Sequence, residues 1–161
     1  MSETKLTENI DRITSFCVDH DLITEGMYVS RIDGDIVTYD LRTRRPNFDD
    51  YMDDLTMHSL EHMFATYVRN SSIGDRVIYF GPMGCRTGFY LLLRDVPHEL
   101  AIDTVKATLE RIAFEANVMF GASRKECGNY LELSLDAAKT EAKRYLDILN
   151  KADITLAYPE A

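Results

Sequence analysis

His58-Ser59-Leu60-Glu61-His62 sets two imidazoles four residues apart with a carboxylate between them. On a helix, residues i and i+4 share one face, so both rings can reach a single ion. The string is H-x-x-E-H, the inverted form of the zinc-protease helix motif. Glu61 lies three residues after His58 and next to His62, where it can work on a ligand of the ion without binding the ion itself. A general base in such a position contributes about 10²–10⁴ in rate. The bland alternative is a helix whose histidines are merely polar. It loses weight because two of the four histidines of the chain fall in this one window.

Two histidines rarely suffice for a catalytic ion. Such sites use three protein ligands and keep one coordination position open. Cys127, Cys85, His20, His98 and the many carboxylates are all candidates for the third. Cys127 stands beside Gly128, where a thiolate can approach without crowding. Cys85 follows Gly84 and precedes Arg86, a charge that would favour its thiolate. For either cysteine, a small buried hydrophobe is an equal alternative, and the residues alone do not separate ligand from acid/base group.

These groups need elements to carry them. Leu55, His58, His62 and Ala65 or Thr66 form one stripe of a helix over about 54–70, with Asp54 or Thr56 as its cap. Leu6, Ile10, Ile13 and Phe16 recur at helical spacing and predict a short first helix. Met27–Ile32 and Ile36–Leu41 read as strands joined through Asp33-Gly34-Asp35, a hairpin signal. Two more strands, over 76–80 and 87–93, flank Gly81-Pro82-Met83-Gly84-Cys85, read as a tight loop. Pro97 opens a long helix to about Val118, a loop covers 121–128, and a last helix spans 136–151. Four strands without βαβ alternation predict an α+β fold, a four-stranded antiparallel sheet packed with helices.

At 161 residues, with no linker-like tract, the chain is read as a single domain over 1–161, residues 1–14 being an extension of unknown role. No apolar run reaches the roughly 18 residues needed to cross a bilayer, and no secretory signal opens the chain, so a cytoplasmic protein without a membrane partner is expected. Three widely spaced cysteines are then expected to be reduced. The net charge of −9 repels phosphate backbones and disfavours nucleic acid as a partner. A small molecule fits better.

Together, His58-Ser-Leu-Glu61-His62, Gly-Pro-Met-Gly-Cys85-Arg-Thr-Gly-Phe-Tyr90 and Glu-Cys127-Gly128 resemble S-ribosylhomocysteine lyase, the LuxS family of bacterial autoinducer-2 synthesis. Ser15-Phe16, Asp19-His20, Asp40-Leu41-Arg42 and Arg45-Pro46-Asn47 support the likeness, which runs in order from about Ser15 to Leu149. The resemblance implies that His58, His62 and Cys127 hold the metal and that Glu61 and Cys85 transfer protons. It implies that Ser15, His20 and Arg42 shape the substrate pocket. Its further implications are ferrous iron, replaceable by zinc or cobalt, a homodimer with active sites at the interface, and S-ribosylhomocysteine as substrate. The products would be homocysteine and 4,5-dihydroxy-2,3-pentanedione, reached by carbonyl migration and β-elimination.

One departure matters. Where the family commonly has Asp-Ile-Ser before the Pro82 position, this chain has Tyr79-Phe80-Gly81. That segment leads into the Cys85 loop, and it keeps alive a related sugar thioether as substrate. An inverted-motif metallopeptidase is a further alternative, although it needs a downstream carboxylate ligand and a larger body. Arg44 and Arg45 are as well explained by a solvated strand end as by a role in the site, and His98, after Pro97, is read as structural.

Overall fold

A computed structural model describes residues 10–160. Strands β1 (Gly26–Asp33), β2 (Ile36–Arg42), β3 (Val77–Pro82) and β4 (Gly88–Arg94) form one antiparallel sheet in the order β1-β2-β4-β3. With helices α1 (Asp54–Arg69), α2 (His98–Glu110) and α3 (Leu135–Lys151), this is the α+β architecture expected. The β1–β2 hairpin closes over Gly34-Asp35, with Asp33 paired to Ile36 and Gly34 at φ +63°. Only a residue without a β-carbon takes that first turn position freely.

Alternation sorts the sheet into two faces. Tyr39, Leu41, Phe89, Leu91 and Leu93 are fully buried beneath the helices, together with Leu60, Met63 and Phe64 of α1 and Tyr145 and Leu149 of α3. Phe80 stacks between Phe64 and Phe89, with ring centroids 4.4 and 5.0 Å away. The other face carries Thr38, Tyr90 and Leu92 and opens as a groove of about 420 Å³.

Helix α1 starts one residue before the expected caps could act. Asp53 is the cap, its carboxylate accepting from the Thr56 N–H at 2.7 Å. Ser134 caps α3, accepting from Ala137 N–H at 3.2 Å. Helix α2 continues through a π-helical turn, Arg111–Glu115, and stops at Ala116, short of Val118. No described helix is long and apolar enough to cross a membrane.

The structure corrects two expectations. Leu6 lies outside the described residues, and the described part of the expected first helix holds only a 3-10 turn over Thr14–Phe16, with no helix across Ile10–Ile13. Ile10, Ile13 and Phe16 stay exposed, so no burial offsets the cost of nucleating so short a helix. Second, Gly81 and Pro82 are not loop. They continue β3 opposite Tyr90 and Phe89, and the turn proper begins at Met83. Pro82 is tolerated because β3 is an edge strand, where a missing N–H breaks no ladder.

Candidate metal centre and thiol site

Helix α1 presents His58 and His62 on one side, their rings 4.7 Å apart and nearly perpendicular. The long connection after the π-helical turn folds back over them and supplies Cys127. One ligating atom from each of His58, His62 and Cys127 lies within 4.8 Å of the others, and Cys127 Sγ is 3.4 Å from His58 Nε2. All three side chains are half-buried. A thiol thus joins the pair, not the downstream carboxylate that the peptidase reading needs.

The surroundings aim the donors. His58 Nδ1 is 2.9 Å from the Glu132 carbonyl oxygen and His62 Nδ1 is 2.9 Å from that of Phe120. A carbonyl can only accept, so each Nδ1 carries the proton and donates it. Each Nε2 is left with its lone pair, the arrangement that fixes imidazole ligands in metal sites. The Asn129 N–H donates to Cys127 Sγ at 3.4 Å. The connection is itself anchored: the Ser134 N–H donates to Ser59 Oγ at 2.8 Å, and Lys139 Nζ donates to the Ala116 carbonyl at 2.6 Å. Gly121, at φ +68°, lets the backbone pass the His62 ring, where a β-carbon would sit 2.7 Å from Nδ1. The donor set of two neutral imidazoles and one thiolate fits a divalent transition ion with a position to spare. Glu61 is half-buried beside this cluster in sequence and is not one of its three members.

Cys85 belongs to a different assembly. Its turn is closed by the Met83 N–H donating to the Gly88 carbonyl and tied to the entrance of α1 by the Met52 N–H donating to the Arg86 carbonyl at 3.0 Å. Cys85 Sγ lies 3.0 Å from Thr87 Oγ1, and Arg42 Nη1 donates to that same hydroxyl at 2.9 Å. Because Thr87 Oγ1 accepts from Arg42, its own hydrogen is free to point at the sulfur. Arg42 is 3% exposed and forks onto Asp40, which is fully buried, through Nε at 3.1 Å and Nη2 at 2.6 Å. Burial opposes the charge on Arg42, but the Asp40 carboxylate more than offsets it and raises the guanidinium pKa. The cation bonded toward the thiol is therefore Arg42. Arg86, the neighbour in sequence, turns its guanidinium over the Tyr51 ring at 6.0 Å.

The remaining expected site residues separate. His20 shares a cavity of about 160 Å³ with Cys85, Thr87, Pro46, Asn47 and Tyr51. Ser15 lines the groove on the open face of the sheet with Tyr79 and Tyr90. Cys127 lines a third cavity, with Arg124 and Tyr130. His98 is structural as expected, its Nδ1 2.6 Å from the Tyr39 hydroxyl. Arg44 is no solvated strand end, since it forks onto buried Glu141 at 2.9 and 2.7 Å. Sequence reasoning missed Thr87, Asp40 and Gly121 as parts of the site. Only Thr87 and Asp40 stood inside strings already singled out.

Comparison with known proteins agrees with this geometry. The family described as "S-Ribosylhomocysteinase (LuxS)" matches residues 13–155. A protein of Borreliella burgdorferi (strain ZS7) named S-ribosylhomocysteine lyase is 41% identical over 155 residues, covering 92% of this chain and 99% of the relative. Proteins of the same name from Clostridium beijerinckii (42% over 159 residues, 93% and 99% covered) and Finegoldia magna (41% over 157 residues, 94% and 100% covered) are similarly near.

Proposed function

Since the chain belongs to the S-ribosylhomocysteinase (LuxS) family, we propose that it cleaves S-ribosylhomocysteine to homocysteine and 4,5-dihydroxy-2,3-pentanedione, the autoinducer-2 precursor. The observation that carries the proposal is the His58, His62 and Cys127 cluster, with its three donor atoms within 4.8 Å and both imidazoles already aimed. A divalent ion bound there, ferrous iron with zinc or cobalt able to replace it, would polarise the carbonyl oxygen of the opened sugar as a Lewis acid.

The protein's own groups move the protons. Glu61 and Cys85 take the proton from C2 and return one to C1, which carries the carbonyl from C1 to C2. A second such transfer, from C3 to C2, brings it to C3. The C5–S bond is then β to the carbonyl. Loss of the C4 proton breaks that bond and leaves a C4–C5 enol, while homocysteine departs as a thiolate that takes up a proton. The enol gains a proton at C5 and loses its hydroxyl proton to become the diketone. The sequence needs no oxidant or reductant, only two acid/base groups on different sides of the sugar. Ser15 and His20 line the substrate pocket, and Arg42 shapes it from behind Thr87.

The division of these residues among separate cavities supports a homodimer with shared sites. His20 and Cys85 line one cavity, Cys127 another and Ser15 a third, so a complete site drawing on two copies accounts for all of them. A related sugar thioether remains as the second reading, favoured by one observation. Tyr79 lies in the groove with Ser15, and its hydroxyl fills the space that a side chain at Gly81 would take, 2.0 Å from where a β-carbon would stand.

The test is thiol release from S-ribosylhomocysteine by anaerobic, iron-loaded protein, with Cys85→Ala as the blank for the protein's own thiols. Catalytic release by the wild type alone is the expected outcome. No release from folded, metal-loaded wild type would overturn the substrate and make Tyr79–Gly81 the segment to vary next.

A further inference from the structure

The C-terminal tail does not leave the body of the protein after α3. Leu156, at φ +64°, accepts from the Val29 N–H at 2.8 Å and so pairs the tail with the free edge of β1. Two residues later Tyr158 folds over the open face of the sheet. Its ring stacks on Tyr28, with centroids 5.0 Å apart and planes 17° from parallel, and its hydroxyl donates to Asp40 Oδ2 at 2.7 Å. Burial and the Asp40 charge both push the Tyr158 pKa upward, so the phenol remains a donor.

Asp40 is fully buried and holds Arg42 by two bonds. Arg42 holds the Thr87 hydroxyl, and Thr87 holds the Cys85 sulfur. Each of these groups is oriented by the one before it. Arg42 spends Nε and Nη2 on Asp40 and only Nη1 on Thr87, so the angle at which Asp40 is held sets where Nη1 points. The phenol donates to Asp40 Oδ2, the same oxygen that accepts from Arg42 Nη2, so it bears directly on how that carboxylate is held. The family match ends at residue 155, three positions before this tyrosine.

We propose that Tyr158 is a positioning residue for the Cys85 thiol, acting through Asp40, Arg42 and Thr87. The inference rests on the acid/base role given to Cys85, but it can be tested without turnover. The readout is the rate of Cys85 alkylation by iodoacetamide in metal-loaded protein, followed peptide by peptide. Exposed Cys17 serves as the internal reference, being outside the network. Tyr158→Phe keeps the stack on Tyr28 and removes only the hydroxyl.

In the wild-type background Tyr158→Phe should slow Cys85 alkylation about three- to tenfold, as loss of one charge-assisted bond passed along a series would do. In a Thr87→Val background, where the last link is already cut, the same substitution should change the rate less than about twofold. Cys17 should react alike in all four proteins, and a chain ending at Thr155 should reproduce the Tyr158→Phe result. An unchanged or faster Cys85 in Tyr158→Phe would overturn the proposal. Equal slowing in both backgrounds would overturn the route through Thr87. Guanidinium unfolding midpoints for the four proteins separate either result from a loss of fold. Absence of lyase turnover in the wild type would count against the function and leave this cycle intact.

Discussion

Replacing Gly121 with alanine should loosen the metal centre without touching a ligand. Gly121 has φ +68°, and a β-carbon there would stand 2.7 Å from His62 Nδ1 and 3.1 Å from Cε1. The ring has little freedom to yield, because Nδ1 is bonded to the Phe120 carbonyl at 2.9 Å, one residue before the substitution. The substitution carries two costs. The left-handed backbone disfavours alanine by about 1–2 kcal/mol, a cost borne by the metal-free protein as well. Pushing the ring aside breaks the bond that fixes its tautomer and direction, and the loss of such a partner typically weakens metal binding about 10–100-fold. Competition for zinc against a chromophoric chelator measures the second cost, and guanidinium unfolding of the metal-free protein measures the first. An affinity within twofold of wild type would refute the reasoning, since it would mean the His62 ring can shift without losing its hold on the ion.

Asp53→Ala should destabilise the protein by about 1 kcal/mol at neutral pH, the usual cost of an N-cap, by fraying the turn that leads to His58. The effect should depend on pH. Bonds from Thr56, side chain and then backbone, hold the Asp53 carboxyl below its ordinary value. A depressed carboxylate contributes stability above its unfolded value of about 4 and loses it as the pH falls through the folded value. The difference in denaturant midpoint between wild type and variant should therefore shrink as the pH falls below the unfolded value of about 4. Glu141→Ala should cost about 3 kcal/mol, the low end for breaking a buried pair, because Arg44 keeps Asp50 at 2.6 Å. Urea unfolding reads this, and a loss below 1 kcal/mol would show that Arg44 finds water instead.

What could be read from the sequence was set by how local its cause was. The hairpin followed from a glycine turn between two β-prone runs, and the histidine pair followed from the i, i+4 geometry of one helix. The proposed third ligand came only through the family resemblance, not from local spacing. Cys127 meets His58 across 69 positions, through a connection held by backbone carbonyls that no side-chain pattern reveals. The same holds for the thiol. Sequence adjacency favoured Arg86 as its cation, whereas pairing of β2 with β4 sets Arg42 against Gly88 and brings it to Thr87. The first helix failed for the opposite reason. Helical spacing of Ile10, Ile13 and Phe16 is a local signal, but nothing in the described residues buries that stripe. The two readings of Arg44 stayed balanced because its partner, Glu141, comes from the last helix, 97 positions away.

Cobalt titration of the metal-free protein tests the centre most directly, because a thiolate bound to cobalt(II) gives a charge-transfer band that imidazole and carboxylate do not. One equivalent per chain should bring up that band in the wild type. Cys127→Ser should abolish it and weaken binding, while Cys85→Ala should leave band and stoichiometry unchanged. A band that survives in Cys127→Ser, or one that disappears in Cys85→Ala, would contradict the assignment of His58, His62 and Cys127 as the metal ligands.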